Sequence, residues 1–507
     1  MATSINPLTA TASELQAKLA NNSITSRELV QLYLKQIAQY NTYLKAVIAL
    51  APKDLLAETA AGLDKERAKG NICGTLHGIS ILVKVNIATV PELGLPTTCG
   101  SLALLGSKPR KNAAIIERLI AAGAIILDEA NLSEWALYRS DFADWGWSAV
   151  GRHTQSAYVW GGFRRDDSCG GHSNPGGSLS GSAVAVAAEF SPVSIGTETI
   201  SSLIMPNDRS ALYTIKRTLK IVPQDGIIPA SLEADSTGPM TKSVLDLVNL
   251  LDVIIDPSKT IIPEGGYKSV VTGEWGNIRI GILEPDVWLF PTKIVKYEKE
   301  ASDQMLRDWK SAYAKLASVV KVVKPVRLIS MDEATENGEK DINNAFRYTF
   351  KGLLEGYLAS INDCKVHTLA DLIDVNKEHA EQELPPSANN QANLIRALHP
   401  NMTDEQYHSL LSFARDRCSK RGIDKTFEEN GVDIVMGPGD ALLFSIAGSA
   451  GYPIASLPLN YLDFNGRAFG LQIIAKAHQD ALLIRAQSAW EATFPKRQPP
   501  LLDGIVS

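Results

Sequence analysis

The sequence predicts an α/β protein on three observations. Gly78-Ile-Ser-Ile-Leu-Val-Lys84 is a short, nearly continuous apolar run, the pattern of a buried strand. Ala113 to Ala122 reads as a helix closed by Gly123, and Ala124-Ile-Ile-Leu127 follows directly as a strand, one helix-to-strand step of an α/β sheet. Ile434-Val-Met-Gly-Pro438 and Pro453-Ile-Ala-Ser-Leu-Pro458 are late apolar runs that return to the sheet as strands.

Taken in order, the chain opens with Thr11-Ala-Ser-Glu14 and Thr25-Ser-Arg-Glu28, each placing a glutamate three residues after a capping hydroxyl. Leu29, Leu32, Leu34 and Ile37 then follow a helical spacing, so this part reads as two antiparallel helices with a structural role. Asp141 to Gly171 is rich in Trp, Gly and Arg and reads as an irregular excursion. Its aromatics, Trp145, Trp147, Trp160 and Phe163, either line a substrate entrance or pin the loop. Asn174 to Pro206 holds a Gly/Ser loop, a small-residue helix from Ala183 to Phe190, and a second hydroxyl-rich loop from Gly196 to Ser202. Beyond it come a helix from Val244 to Ile255, a strand from Ile278 to Leu283, and helical periodicity from Lys293 to Val320. A polar helical region then runs from about Met331 to Asn430.

Composition narrows the function classes. The 507 residues are 45% apolar and 21% charged, ordinary for a globular chain, and length alone predicts about three domains. A net charge of −6 gives no basic footprint for nucleic acid. The first residues lack a basic segment followed by an apolar one, and no apolar run approaches about 18 residues, so neither a secretory leader nor a membrane span is expected. Five scattered cysteines without CxxC spacing read as free thiols in a reducing compartment, with the cytoplasm as the expected location. The eight histidines form no metal-ligand spacing, so no metal and no cofactor is expected. Gly176-Gly-Ser-Leu-Ser-Gly-Ser182 lacks the GK[ST] ending of a phosphate-binding loop.

Two hydroxyl-rich loops flanking one buried helix suit a serine nucleophile, which needs a base. No histidine sits in a triad context and no GxSxG elbow is present, which leaves lysine. To accept a proton, lysine must be neutral, with its pKa lowered from about 10.4 to about 7–8 at a cost of about 4 kcal/mol. Burial supplies that shift, and Lys84, ending an apolar strand, is placed for it.

The same residues resemble the amidase signature family, whose pattern is roughly PGGSSGGSA followed about two dozen residues later by GTDTGGSIRxP. On that pattern Ser178 falls on the bridging serine, Ser202 on the nucleophile, and Lys84-Val85-Asn86 on the family's KDN. Asp235-Ser-Thr-Gly-Pro-Met240, Ala450-Gly-Tyr-Pro453, Phe469-Gly-Leu-Gln472 and Ala481-Leu-Leu483 extend the likeness along nearly the whole chain. The resemblance implies a single α/β/α domain over residues 1–507, with a central mixed, mostly parallel twisted sheet covered by helices. It places the signature core at about 75–250 and a variable helical pocket region at about 325–430.

For function, it implies hydrolysis of a small-molecule amide or ester through an acyl-enzyme on Ser202. Proton transfer would run through Ser178 to Lys84, with a cis peptide at Gly177–Ser178 and backbone oxyanion donors from Thr199, Ile200, Ser201 and Ser202. Gly177, Gln155, Trp160 and Phe350 are expected to bind substrate, with Phe346 and Tyr348 as further pocket aromatics. A homodimer is left open.

Departures from the pattern carry expectations too. Val85 replaces an aspartate, Leu179 a serine, Ile200 and Ser201 two glycines, and Arg217 and Lys220 a proline and a glycine. If position 200 needs φ > 0, isoleucine resists it and the oxyanion loop differs there. The turn near Arg217 is expected to differ as well. Ile204 stands where many members have arginine, which points to a neutral or apolar acyl group. Two alternatives keep the scaffold: a binding protein that has lost hydrolysis, supported by Leu179, Ile200 and Ser201, and an acyl transferase using the same site.

Overall fold

The computed structural model describes residues 6–141 and 143–506, so the reading of residues 1–5 lies outside it. One 11-stranded sheet organises the chain. Across it run Val47–Leu50, Ile125–Ala130, Ser80–Lys84, Val193–Glu198, Ser236–Thr241, Tyr213–Lys216, Ile454–Tyr461, Ala468–Ile474, Ile434–Pro438, Arg279–Ile282 and Val322–Pro325. The sheet is mixed, as expected, but not mostly parallel. Parallel pairing is confined to the neighbours of Ser80–Lys84 and of Arg279–Ile282. The other neighbours are antiparallel. Parallel neighbours need a long crossover, such as the helix Ala114–Ala121 before Ile125–Ala130 or Lys299–Val319 before Val322–Pro325. Ile454–Tyr461 and Ala468–Ile474 are joined by a short turn, which forces antiparallel pairing.

Both N-terminal helices, Ala12–Ala20 and Ser26–Leu44, begin with the capping boxes read from Thr11 and Thr25. The small-residue helix spans Ser180–Ala187 and every residue of it is buried, because side chains of this size let it press against the sheet without voids. The region after Met331 is helical, with Asn343–Leu358 and Asp404–Cys418 as its long members. No helix among the described residues is long and apolar enough to cross a membrane.

The segment expected as a loop from Gly196 is strand as far as Glu198. Gly196, Thr197 and Glu198 pair antiparallel with Gly238, Thr237 and Ser236, which supplies the backbone partners a loop would lack. Only Thr199 to Leu203 then connects the strand to the short helix Ile204–Asp208. Ser80–Lys84 lies parallel to this strand, with Val83 opposite Ile195. Parallel register brings the carboxyl ends of both strands to the same edge, so Lys84 emerges beside Thr197.

Candidate active site

Lys84 is completely buried at its strand end. Its Nζ lies 2.9 Å from Ser178 Oγ, 3.0 Å from Thr197 Oγ1 and 3.1 Å from the Thr197 carbonyl. Asn86 Nδ2 donates to the same Thr197 Oγ1 at 3.0 Å, fixing the hydroxyl that faces the lysine. Burial lowers the Lys84 pKa to about 7, because desolvation penalises the ammonium. Val85, where a carboxylate would oppose that shift, is instead buried among Cys99, Leu132 and Trp135.

Ser178 follows a cis Gly177–Ser178 peptide, and its Oγ lies 2.9 Å from Ser202 Oγ. The lysine and both serines thus form one hydrogen-bonded line. Gly177 has no room for a side chain, since a Cβ there would come within 2.6 Å of Ser133 Oγ. Leu179 turns its side chain away from this line towards Gly196, where a Cβ would meet it at 1.6 Å, and joins Leu203, Val186 and Met240 in the core. A serine there would leave a hole in that cluster.

The loop before Ser202 is braced from several sides. Thr199 Oγ1 donates to Asp235 Oδ1 at 2.6 Å, while Asp235 Oδ2 accepts the Ala230 and Ser231 amides at 2.9 Å each. Lys216 Nζ donates to the Thr199 carbonyl and lies 3.8 Å from Glu198 Oε1. Glu198 Oε2 in turn accepts the Leu203 amide at 2.6 Å and the Ile204 amide at 3.0 Å. The backbone conformation expected to conflict with Ile200 falls one residue later, on Ser201 at φ +98°. Ile200 avoids the left-handed region and points its side chain towards Gly448, so an isoleucine is accommodated.

A cavity of about 220 Å³ opens over Ser202. Tyr138, Ile200, Ile342 and Phe346 supply its apolar wall, and Asp341 and Arg347 its polar rim. Ile204 is buried and does not line it, so the side chain at position 204 is not what sets the charge of this wall. On the rim Arg347, held by Asn393 at 2.9 Å and Asn344 at 2.6 Å and lying 3.4 Å from Asp141, sits beside Asp341.

The other expected binding residues lie elsewhere. Gln155 secures the excursion, accepting the Phe163 amide at 2.8 Å and donating to the His153 carbonyl at 3.1 Å. Trp160 is 60% exposed and lines a separate cavity with Arg164 and Phe464. Phe350 sits one layer back, its ring stacked 4.1 Å from that of Tyr138. Phe163 stacks on His153 at 3.8 Å, and Trp147 is buried under Arg139. Of these aromatics Trp145 reaches the outer opening, which it shares with Arg347 and Arg396. Tyr348 bonds to Asp404 at the surface. Long loops are poorly placed by residue type alone, since the same ring serves packing or recognition.

Sequence reading gave no role to Thr197, Glu198 or Lys216. The available signal was charge in a buried pattern: Lys216 ends Tyr213–Lys216 as Lys84 ends its strand. It also found no Cys/His cluster, whereas the fold brings Glu66, Cys73 and His77 together with ligand atoms within 4.8 Å. Both His77 ring nitrogens are already engaged, Nε2 with the Leu63 carbonyl at 2.9 Å and Nδ1 with the Cys73 amide at 3.3 Å.

The chain is 32% identical over 502 residues to a probable amidase of Arabidopsis thaliana, covering 97% of this chain and 91% of that one. It is 30% identical to a putative amidase of Schizosaccharomyces pombe, covering 97% and 86%. The native peptide amidase from Stenotrophomonas maltophilia superposes with a TM-score of 0.84 at 32% identity, covering 97% of this chain and 99% of that one. The Amidase family model matches residues 28–447, and on these grounds the chain belongs to the amidase family.

Proposed function

We propose that the protein hydrolyses carboxylic amides through an acyl-enzyme on Ser202, and the unbroken line from Lys84 through Ser178 to Ser202 carries that reading. Ser202 Oγ attacks the carbonyl carbon while its proton passes to Ser178 and that of Ser178 to neutral Lys84. Backbone amides between Thr199 and Ser202 hold the oxygen as it gains negative charge. The C–N bond then breaks, the proton returns along the same line to the leaving nitrogen, and ammonia or an amine departs. Water attacks the ester, the carboxylic acid leaves, and Ser202 regains its proton. The apolar wall at Ile200, Ile342 and Phe346 suits a neutral acyl group, and the 32% identical peptide amidase makes peptide amides the first substrates to try.

Treatment with a fluorophosphonate should add one adduct to the intact mass, and Ser202→Ala should abolish it while leaving the thermal midpoint unchanged. No adduct on the wild type would end this reading and leave a binding protein on an amidase scaffold.

The pH profile supplies a second test. Because the base works only when neutral and burial sets its pKa at about 7, kcat/KM should rise with pH through about 7 and then level off. A profile flat between about pH 5 and 9 would remove Lys84 from the role.

A further inference from the structure

Ser201 stands where the resemblance implies glycine, in a backbone conformation that residues with a Cβ rarely adopt. Such a choice persists only where the surroundings enforce it, and here they do. Asp235 grips the Thr199 side chain, Lys216 its carbonyl, and Glu198 the two amides after Ser202. Within that brace Ser201 is partly exposed and lines the cavity next to Ser202. Its carbonyl accepts the Met205 amide at 2.9 Å, but its hydroxyl makes no hydrogen bond to the described residues. A free donor is therefore kept on the cavity wall, one residue from the nucleophile, at a position where glycine would be less strained.

We propose that Ser201 is a catalytic residue whose Oγ–H donates to the substrate carbonyl oxygen as Ser202 attacks. It adds a side-chain donor to a hole that glycine at this position would build from backbone alone. The inference rests on Ser202 being the nucleophile, and the brace explains how a non-glycine residue is held in place for the purpose.

Ser201→Ala and Ser201→Gly separate the hydroxyl from the backbone. Alanine keeps the Cβ at its unfavourable φ, whereas glycine removes the Cβ and with it the strain, so a purely conformational role leaves alanine like the wild type and changes glycine alone. If the hydroxyl acts on the substrate, both should lose about 100- to 1000-fold in kcat with KM changed by less than about threefold, by analogy with removal of one oxyanion donor. Thermal midpoints should stay equal for alanine and rise for glycine.

Fluorophosphonate labelling gives the same comparison without an amide substrate. The Ser202 Oγ–P bond forms, the P–F bond breaks, fluoride leaves, and the serine proton passes towards Lys84. The labelling rate should fall in both variants. Wild-type labelling with unchanged rates in the variants, or a faster glycine variant, would overturn the role of Ser201 alone. Failure of the wild type to label would overturn it together with the assignment of Ser202.

Discussion

Replacing Lys84 with methionine is expected to lower kcat/KM by about 10³- to 10⁴-fold at neutral pH while leaving substrate affinity nearly unchanged. Methionine preserves the length and apolar stem of the side chain but offers no basic nitrogen, so under the proposed relay Ser178 would lose the group that takes its proton. The site should not collapse. The lysine is fully buried with a pKa of about 7, so a neutral replacement removes a desolvation cost as well as its hydrogen bonds to Ser178 and Thr197. The expected signature is a variant at least as stable as wild type and almost inert, with the pH dependence near 7 gone. Steady-state kinetics across pH, together with thermal melts, would read it. A loss smaller than about tenfold would show that another group serves as base.

Asp480→Ala should have the largest effect on stability, about 3–5 kcal/mol, because it strands a buried guanidinium. Arg217 Nε meets Asp480 Oδ1 at 2.7 Å with both side chains buried. The arginine also donates to Tyr267 Oη at 2.5 Å and lies 4.6 Å from the centre of that ring. Asp480 further accepts the Thr218 amide at 2.9 Å and the Thr218 hydroxyl at 2.8 Å. One carboxylate thus ties the strand end at Lys216 to the start of the helix Asp480–Thr493. Urea unfolding would measure the effect, and combining Arg217→Met with Asp480→Leu should recover most of it, since neither charge is then left alone. A shift below about 1 kcal/mol for Asp480→Ala would show that water enters and replaces the carboxylate.

The same residues show how a departure from a sequence pattern is absorbed. Arg217 replaces a proline, yet the chain gains an anchored ion pair there. Lys220 replaces a glycine and adopts φ +69°, a left-handed conformation held here by a residue with a side chain. Pattern matching registers such changes as losses because it scores positions one at a time. The partners of Arg217, namely Asp480 and Tyr267, lie far along the chain.

The sequence by itself determined the α/β class, the buried strand that ends at Lys84, the capped N-terminal helices and the two serines 24 residues apart. Each of these is written in local order: apolar periodicity, cap chemistry, or a Gly/Ser-rich loop beside a small-residue helix. Tertiary structure alone decided the largely antiparallel centre of the sheet and the placing of the unusual φ on Ser201 instead of Ile200. It also decided the bracing by Glu198, Lys216 and Asp235, and which aromatics reach the cavity. Those depend on which strands become neighbours and on what fills the space beside each side chain. Gln155 and Trp160 were expected at the site, but the path of the excursion leaves one holding a loop and the other facing solvent. Pairing and burial arise between residues tens to hundreds of positions apart, and only the closed fold brings them within hydrogen-bonding reach.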